Sequence, residues 1–253
     1  MVRGLETFRS HFQDYEDSYV LIGGTACDLW MRAAGLPFRA TKDLDIVLVI
    51  EALSPAFVAR FWEFVRAAKY ESLQQSGQRP EFYRFTGTSD EAYPFMIELL
   101  SRNVLELPKG THLTPIPVDE DISSLSAILL DDVYYQFVMA TRTEIDGVPT
   151  IPAQCLMPLK ARAYLDLVGR REEGDPNVKG SDIRKHRNDV FRLYVTLAAA
   201  DRFDLPDQLA ADLRRFLDTI SEGDQPAIQA AVGSVSMPDF NEAAAGMRRI
   251  FQL

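Results

Sequence analysis

The stretch from Tyr19 to Glu51, YVLIGGTACDLWMRAAGLPFRATKDLDIVLVIE, constrains this chain more than any other. It opens on the apolar run Tyr19-Val-Leu-Ile22, which predicts a strand, and breaks at Gly23-Gly24. From Thr25, residues Ala26, Leu29, Trp30 and Ala33 recur at helical spacing, and Gly35 with Pro37 supplies the stop. Asp43-Leu44-Asp45 then heads Ile46-Val-Leu-Val-Ile50, a run that reads as a buried strand. Alternate residues of a strand share a face, so both aspartates project from one side. Two unit charges about 4 Å apart repel by roughly 4 kcal/mol at an effective dielectric near 20. Crowded acids beside a core therefore call for a cation, whereas an isolated D-x-D is equally a solvated strand end.

The rest of the chain surrounds this stretch with mixed elements. The pattern from Gly4 to Asp17 predicts a leading helix that buries Leu5, Phe8 and Phe12. Ser54-Pro55 is an N-cap followed by proline at the first helical position. Phe57, Val58, Phe61, Phe64, Val65 and Ala68 then mark one buried face. Residues 71–79 read as a loop, 81–86 and 94–100 as strands joined by a turn over 87–91, and 101–121 as irregular with Pro108, Pro115 and Pro117. Glu98 is the only charge in its strand, between Ile97 and Leu99, where an unpaired carboxylate is costly; Arg84 and Arg102 are the candidate partners.

Residues 132–140 read as a helix, and 145–151 as a turn and short strand around Asp146-Gly147. From Pro158 the pattern is helical to the end. One helix closes at Gly169 and a charged linker covers 172–180. A long helix capped by Ser181-Asp182 runs through Leu197, and further helices start near Pro206, Gln225 and Pro238. This predicts an α/β (α+β) chain: a mixed-sheet domain over 1–150 and a helical C-terminal domain over 151–253 that closes over a cleft.

With 37 acids against 27 bases and a net charge of −10, a broad basic nucleic-acid footprint is not expected, although a local basic patch overrides a total. Cys27 and Cys155 have no C-x-x-C spacing, and His11, His112 and His186 are scattered, so neither a disulfide framework nor a zinc site is indicated. No apolar stretch approaches the ~20 residues of a membrane span, which makes a cytoplasmic protein the default expectation.

Three acids converging from neighbouring strands suit Mg²⁺ (or Mn²⁺), an ion commonly held by one or two carboxylates plus substrate phosphates. Strand, Gly-Gly, helix is the arrangement that brings backbone N–H groups to a phosphate. Together these features point to phosphoryl or nucleotidyl transfer.

The set Gly23-Gly24-Thr25-Ala26, Arg39-x-Thr41-x-Asp43-Leu44-Asp45 and Glu98 resembles the nucleotidyltransferase superfamily, in particular the AbiEii/AbiGii-type toxins of type IV toxin–antitoxin systems. The resemblance covers most of the chain to about residue 200. It implies a nucleotidyltransferase-like mixed β-sheet with flanking helices. It also implies phosphate contacts from Gly23, Gly24 and Thr25, metal ligation by Asp43 and Asp45, and Glu98 as third ligand or general base. Arg39 and Thr41 either clamp a phosphate or cap the strand. Lys160 matches the branch's lysine early in a C-terminal helix, as a triphosphate counter-charge, and Asp189 matches the acid of its basic–Asp motif.

Two residues depart from that motif. Where the branch carries a second acid three residues beyond the aspartate, this chain has Arg192, and the preceding residue is Asn188. Lys185, Asp189 and Arg192 fall at i, i+4 and i+7, which is either a solvated, salt-bridged helix face or a basic wall over a nucleotide. The resemblance implies an NTP substrate, an acceptor hydroxyl on tRNA, another RNA, a protein or a small molecule, and, for a toxin, a cognate antitoxin partner. A non-catalytic nucleotide-binding protein and an antibiotic-modifying type of small-molecule transferase share the same acids.

Overall fold

Why the chain adopts a mixed sheet followed by helices is visible element by element in the computed structural model, which describes residues 2–72, 83–102, 113–115, 126–232 and 239–253, side chains of 72, 113–115 and 126–129 excepted. The expected loop beyond residue 72, the first residues of the strand expected at 81, most of the irregular stretch with Pro108, His112 and Pro117, and the helix start at Pro238 lie outside the described residues. Two compact units divide the chain: Met1–Leu29 with Arg39–Ile151, and Trp30–Phe38 with Pro152–Leu253.

In the first unit, helix α1 (Leu5–His11) is shorter than the pattern over 4–17 predicts. Beyond Phe12 the residues are mostly polar, so a continued helix would bury little, and a 3₁₀ turn at Glu16–Ser18 leads into strand β1 (Tyr19–Ile22). Helix α2 (Gly23–Ala33) starts at Gly23 itself, so the glycine pair opens the helix and no separate turn precedes it. Strand β2 (Asp43–Leu48) ends two residues before the apolar run does, and Ile50–Ala52 form a 3₁₀ turn. Helix α3 (Pro55–Ala67) starts as its sequence directs: the Ser54 hydroxyl accepts the Phe57 N–H at 3.2 Å, with proline at the first position.

Strands β3 (Glu71–Ser72), β4 (Arg84–Thr86), β5 (Met96–Ser101), β6 (Leu113–Pro115) and β7 (Ser126–Leu129) follow, then helix α4 (Asp132–Ala140). A hairpin of β8 (Thr143–Ile145) and β9 (Val148–Thr150) replaces the single short strand expected there. Its Asp146-Gly147 turn has both central residues at positive φ, 51° and 72°, as a type I′ turn requires.

The sheet runs β1-β2-β5-β4-β3, with β7 also pairing β5 and β6 pairing β7. β1 and β2 are antiparallel and β2 and β5 parallel. One edge of β5 takes antiparallel β4 against Ile97 and Glu98, then parallel β7 against Leu100 and Ser101.

Register sorts the side chains into two faces. Tyr19, Leu21, Leu44, Ile46, Leu48, Phe85, Ile97 and Leu99 share one face, and all are buried. Phe8, Phe12, Phe57, Phe61 and Phe64 cover it, with Phe8 4.5 Å from Phe12 and edge-on to Tyr19 at 5.3 Å, and Phe61 at 5.3 Å from Phe85. Each such ring, wholly buried, contributes on the order of 1.5–3 kcal/mol. The opposite face carries Ile22, Asp43, Asp45, Met96, Glu98 and Arg84.

Among its described residues the second unit is helical: α5 (Ala153–Glu172), α6 (Gly180–Tyr194), α7 (Asp207–Thr219), α8 (Gln225–Val232) and α9 (Phe240–Ile250). α5 begins five residues before the expected start and runs through Pro158 and Gly169. Proline removes one backbone bond, but Ala153, Cys155, Leu156 and Met157 ahead of it are all buried, and that burial holds the first turns in place. Phe191 anchors the core, 6.3 Å from Phe216 and 5.9 Å from Phe240. Gly246 gives the Tyr194 hydroxyl its space, since a Cβ there would lie 2.1 Å from that oxygen. The mixed α/β architecture expected from the sequence is the one observed. Among the described residues no helix is long and apolar enough to cross a membrane.

Candidate active site

Pairing register aligns Ile22, Asp45, Glu98 and Arg84 in one row across β1, β2, β5 and β4. Asp43 lies two residues along β2 on the same face, opposite Met96. The parallel β2–β5 pair is thus what brings Asp45 beside Glu98, more than fifty residues later in the chain. All three acids are partly buried.

The start of α2 closes on the same row. Gly23 has φ +72°, and a Cβ there would sit 1.7 Å from Asp45 Oδ2, so only glycine permits this approach. A Cβ on Gly24 would lie 2.7 Å from Thr41 Oγ1 and 3.2 Å from Arg39 Nη2. Arg39 and Thr41 therefore converge on Gly24, the residue next to the glycine that faces the Asp45 carboxylate. Thr25, expected to contact a phosphate, turns its side chain inward. Its side chain is wholly buried, and its hydroxyl donates to the Asp43 main-chain carbonyl at 2.7 Å.

Glu98 is held by Arg84. Nε donates to Oε1 at 2.6 Å and Nη2 donates to the same oxygen. Arg102, the other candidate, goes instead to Glu51, which also accepts from the Tyr135 hydroxyl at 2.9 Å. Burial raises the proton affinity of Glu98 above that of an ordinary carboxyl, the negative charge of Asp45 adds to it, and Arg84 opposes both; Asp43 contributes in the same sense as Asp45.

In the second unit, Asp189 is wholly buried. It accepts from Arg192 Nη1 at 2.8 Å and lies 3.8 Å from the Lys160 ammonium, whose side chain is 6% exposed. Arg192 also donates through Nε and Nη2 to the Ala231 carbonyl, at 3.0 and 2.8 Å, and its guanidinium lies 5.7 Å from the Phe38 ring centroid. This is not a solvated helix face. The three-residue stripe resolves into a buried Asp189–Arg192 pair joined by Lys160 from α5, while Lys185 takes no part in that pair. Phe38 and Ala231 belong to the cluster without any sequence signal, because neither carries a charge or a motif. Cys27 is packed in the core, Trp62 is buried, and Trp30 is half-buried. A surface hollow lined by Val168, Arg171, Glu172 and Ile183 contains none of the candidate residues.

Hard carboxylate oxygens on one sheet face suit a divalent cation, and Asp43 and Asp45 supply the one or two carboxylates that Mg²⁺ commonly takes. Glu98, the expected third acid, lies beside Asp45 by register, with one carboxylate oxygen taken by Arg84. Among the described residues no three His, Cys, Asp or Glu side chains are grouped to hold a metal, and the Glu98 carboxylate is engaged by Arg84.

No protein-family model matches the chain, and no curated protein matches it. Among solved structures it is similar to a proposed nucleotidyltransferase from H. pylori, at 13% identity and TM-score 0.41 over 96% of this chain and 88% of that one. It is also similar to JHP933 from Helicobacter pylori, at 13% identity and TM-score 0.39 over 96% and 87%. A third is the Megavirus polyadenylate synthase, at 11% identity and TM-score 0.34 over 87% of this chain and 38% of that one. Similarities this distant assign no residues and no chemistry.

Proposed function

We propose that this chain is a metal-dependent nucleotidyltransferase, moving a nucleoside monophosphate from an NTP to an acceptor hydroxyl on an RNA such as tRNA, a protein or a small molecule. The observation that carries the reading is the helix start whose first glycine faces Asp45 and whose second faces Arg39 and Thr41, with Asp45 in a row that continues to Glu98. The helix start and the Arg39 guanidinium favour the phosphate chain of a nucleotide. Asp43 and Asp45 are the proposed ligands for Mg²⁺ or Mn²⁺, which when bound supplies Lewis-acid charge at the attacking and leaving oxygens. In the reaction the acceptor oxygen bonds to the α-phosphorus, the bond from that phosphorus to the bridging oxygen breaks, and pyrophosphate leaves. Glu98, whose surroundings raise its proton affinity, is proposed as the third metal ligand or as the acceptor of the hydroxyl proton. Lys160, a buried ammonium held near Asp189, is proposed as a phosphate counter-charge. A toxin role with a cognate antitoxin is the finer form of this reading.

Incubating the purified protein with each labelled NTP and total tRNA, with and without Mg²⁺, tests the reading. Transfer that needs the metal and disappears in both D43N and D45N, with folding intact, is the expected result. Transfer that survives both changes rejects the assignment. The Arg84 grip on Glu98 and the basic Arg192 beside Asp189 favour a second reading, a nucleotide-binding protein without turnover. Calorimetry separates the two, since NTP–Mg²⁺ binding without transfer to any acceptor supports only the second.

A further inference from the structure

We propose that Arg84 is a built-in counter-cation that occupies Glu98 and keeps it out of the divalent-metal set of Asp43 and Asp45 until a metal draws it away. The inference rests on the metal-dependent reading above. Its first ground is register: Arg84 pairs with Glu98 and Glu98 with Asp45, so guanidinium and acids are consecutive in one row on one sheet face. Its second is the bonding. Two guanidinium nitrogens converge on Oε1 alone, which leaves Oε2 outside the pair. Its third is unequal burial, with the Arg84 side chain 40% exposed and that of Glu98 17% exposed. Released from the pair, Arg84 returns to water at little cost, whereas Glu98 stays in a half-dry site beside two like charges. A carboxylate in that position gains more from a divalent ion than from a monovalent one. Arg84 thus holds one oxygen of Glu98 while the three acids stay in register on one face. It acts through Glu98, as a positioning residue.

Mn²⁺ binding, read by electron paramagnetic resonance on the full chain at neutral pH, tests this without any turnover. R84Q is expected to bind Mn²⁺ on the order of tenfold tighter than the unaltered protein, and R84K about threefold tighter because it keeps a charge but loses the forked grip, the scale on which outer-shell partners tune metal sites. In an E98Q background the R84Q gain should vanish, which marks it as acting through Glu98. Affinity that is unchanged or weaker in R84Q overturns the proposal, and if R84Q does not fold, the same result in R84K does so. Should Mn²⁺ binding depend on Asp45 in the unaltered protein while Arg84 changes have no effect, only this inference falls. Should neither the unaltered protein nor the Arg84 variants bind Mn²⁺, the metal-dependent reading falls with it.

Discussion

On the sheet of the first unit, Asp43, Asp45 and Glu98 share a face with Arg84 on Glu98 and Arg39 beside Gly24. In the second unit, Asp189 lies between Lys160 and Arg192. The first cluster has acid in excess and the second has base in excess. They also differ in wetness. The sheet acids are partly exposed, whereas the side chains of Asp189, Lys160 and Arg192 are 0%, 6% and 12% exposed. A half-wet cluster still exchanges ions with solvent, so its imbalance suits a ligand that comes and goes. In a dry cluster each uncompensated ion carries several kcal/mol of desolvation, so its excess positive charge has to be offset by fixed groups of the fold, such as the Ala231 carbonyl that accepts from Arg192. The contrast makes the sheet acids candidates for turnover chemistry, and makes Asp189 and Arg192 first of all parts of a structural lock on Lys160.

The sharpest way to break that contrast is Asp189→Asn. With the acid gone, Lys160 and Arg192 share a dry site, and stability should fall by about 3–5 kcal/mol in urea unfolding. A loss below about 1 kcal/mol would mean the cluster is as wet as the sheet site. Next in size is Gly23→Ala, where both the positive φ and the Asp45 carboxylate oppose a Cβ. A loss of about 1–3 kcal/mol by the same measurement is expected, and one near zero would show that helix start and carboxylate do not touch.

Glu98 gives the pH test. Its proton affinity is raised by folding, so its contribution to stability is present below the ordinary carboxyl range and is lost as pH rises through the elevated value. Unfolding curves for E98Q and the unaltered protein should therefore separate in favour of E98Q as pH rises from acid to neutral; a constant difference would place Glu98 outside the crowded row. Smallest is Lys185→Ala. Lys185 lies outside the buried pair, so the change should stay within about 0.5 kcal/mol, and a cost above about 1 kcal/mol would enlarge the lock to include it.

Local chemistry made much of the first unit readable. The Gly-Gly break, the alternation of Asp43 and Asp45, and the Ser54-Pro55 cap each act within a few residues, and each governs the structure where it was read. Glu98 stood out because a lone charge in an apolar strand needs a partner. Which arginine supplies it was open, because Arg84 or Arg102 is chosen by register between β4 and β5, a property of the assembled sheet. The second unit misled for a similar reason. Spacing put Lys185, Asp189 and Arg192 on one stripe, but burial against α5 decides which of them pair, and burial is not local. Pro158 looked like a helix boundary because propensity disfavours it, yet the apolar packing of its neighbours outweighs one lost backbone bond.

The Thr25 hydroxyl bond to the Asp43 carbonyl and the seating of Gly23 against Asp45 act on one pair of elements at two points. Both contacts sit at the head of β2, one from Gly23 and one from Thr25, so the position of the first turn of α2 is set by the same two residues that are proposed to hold the metal. A volume change under Leu44 or Ile46 on the aromatic face should therefore register at the glycine pair even though it touches none of the charged groups.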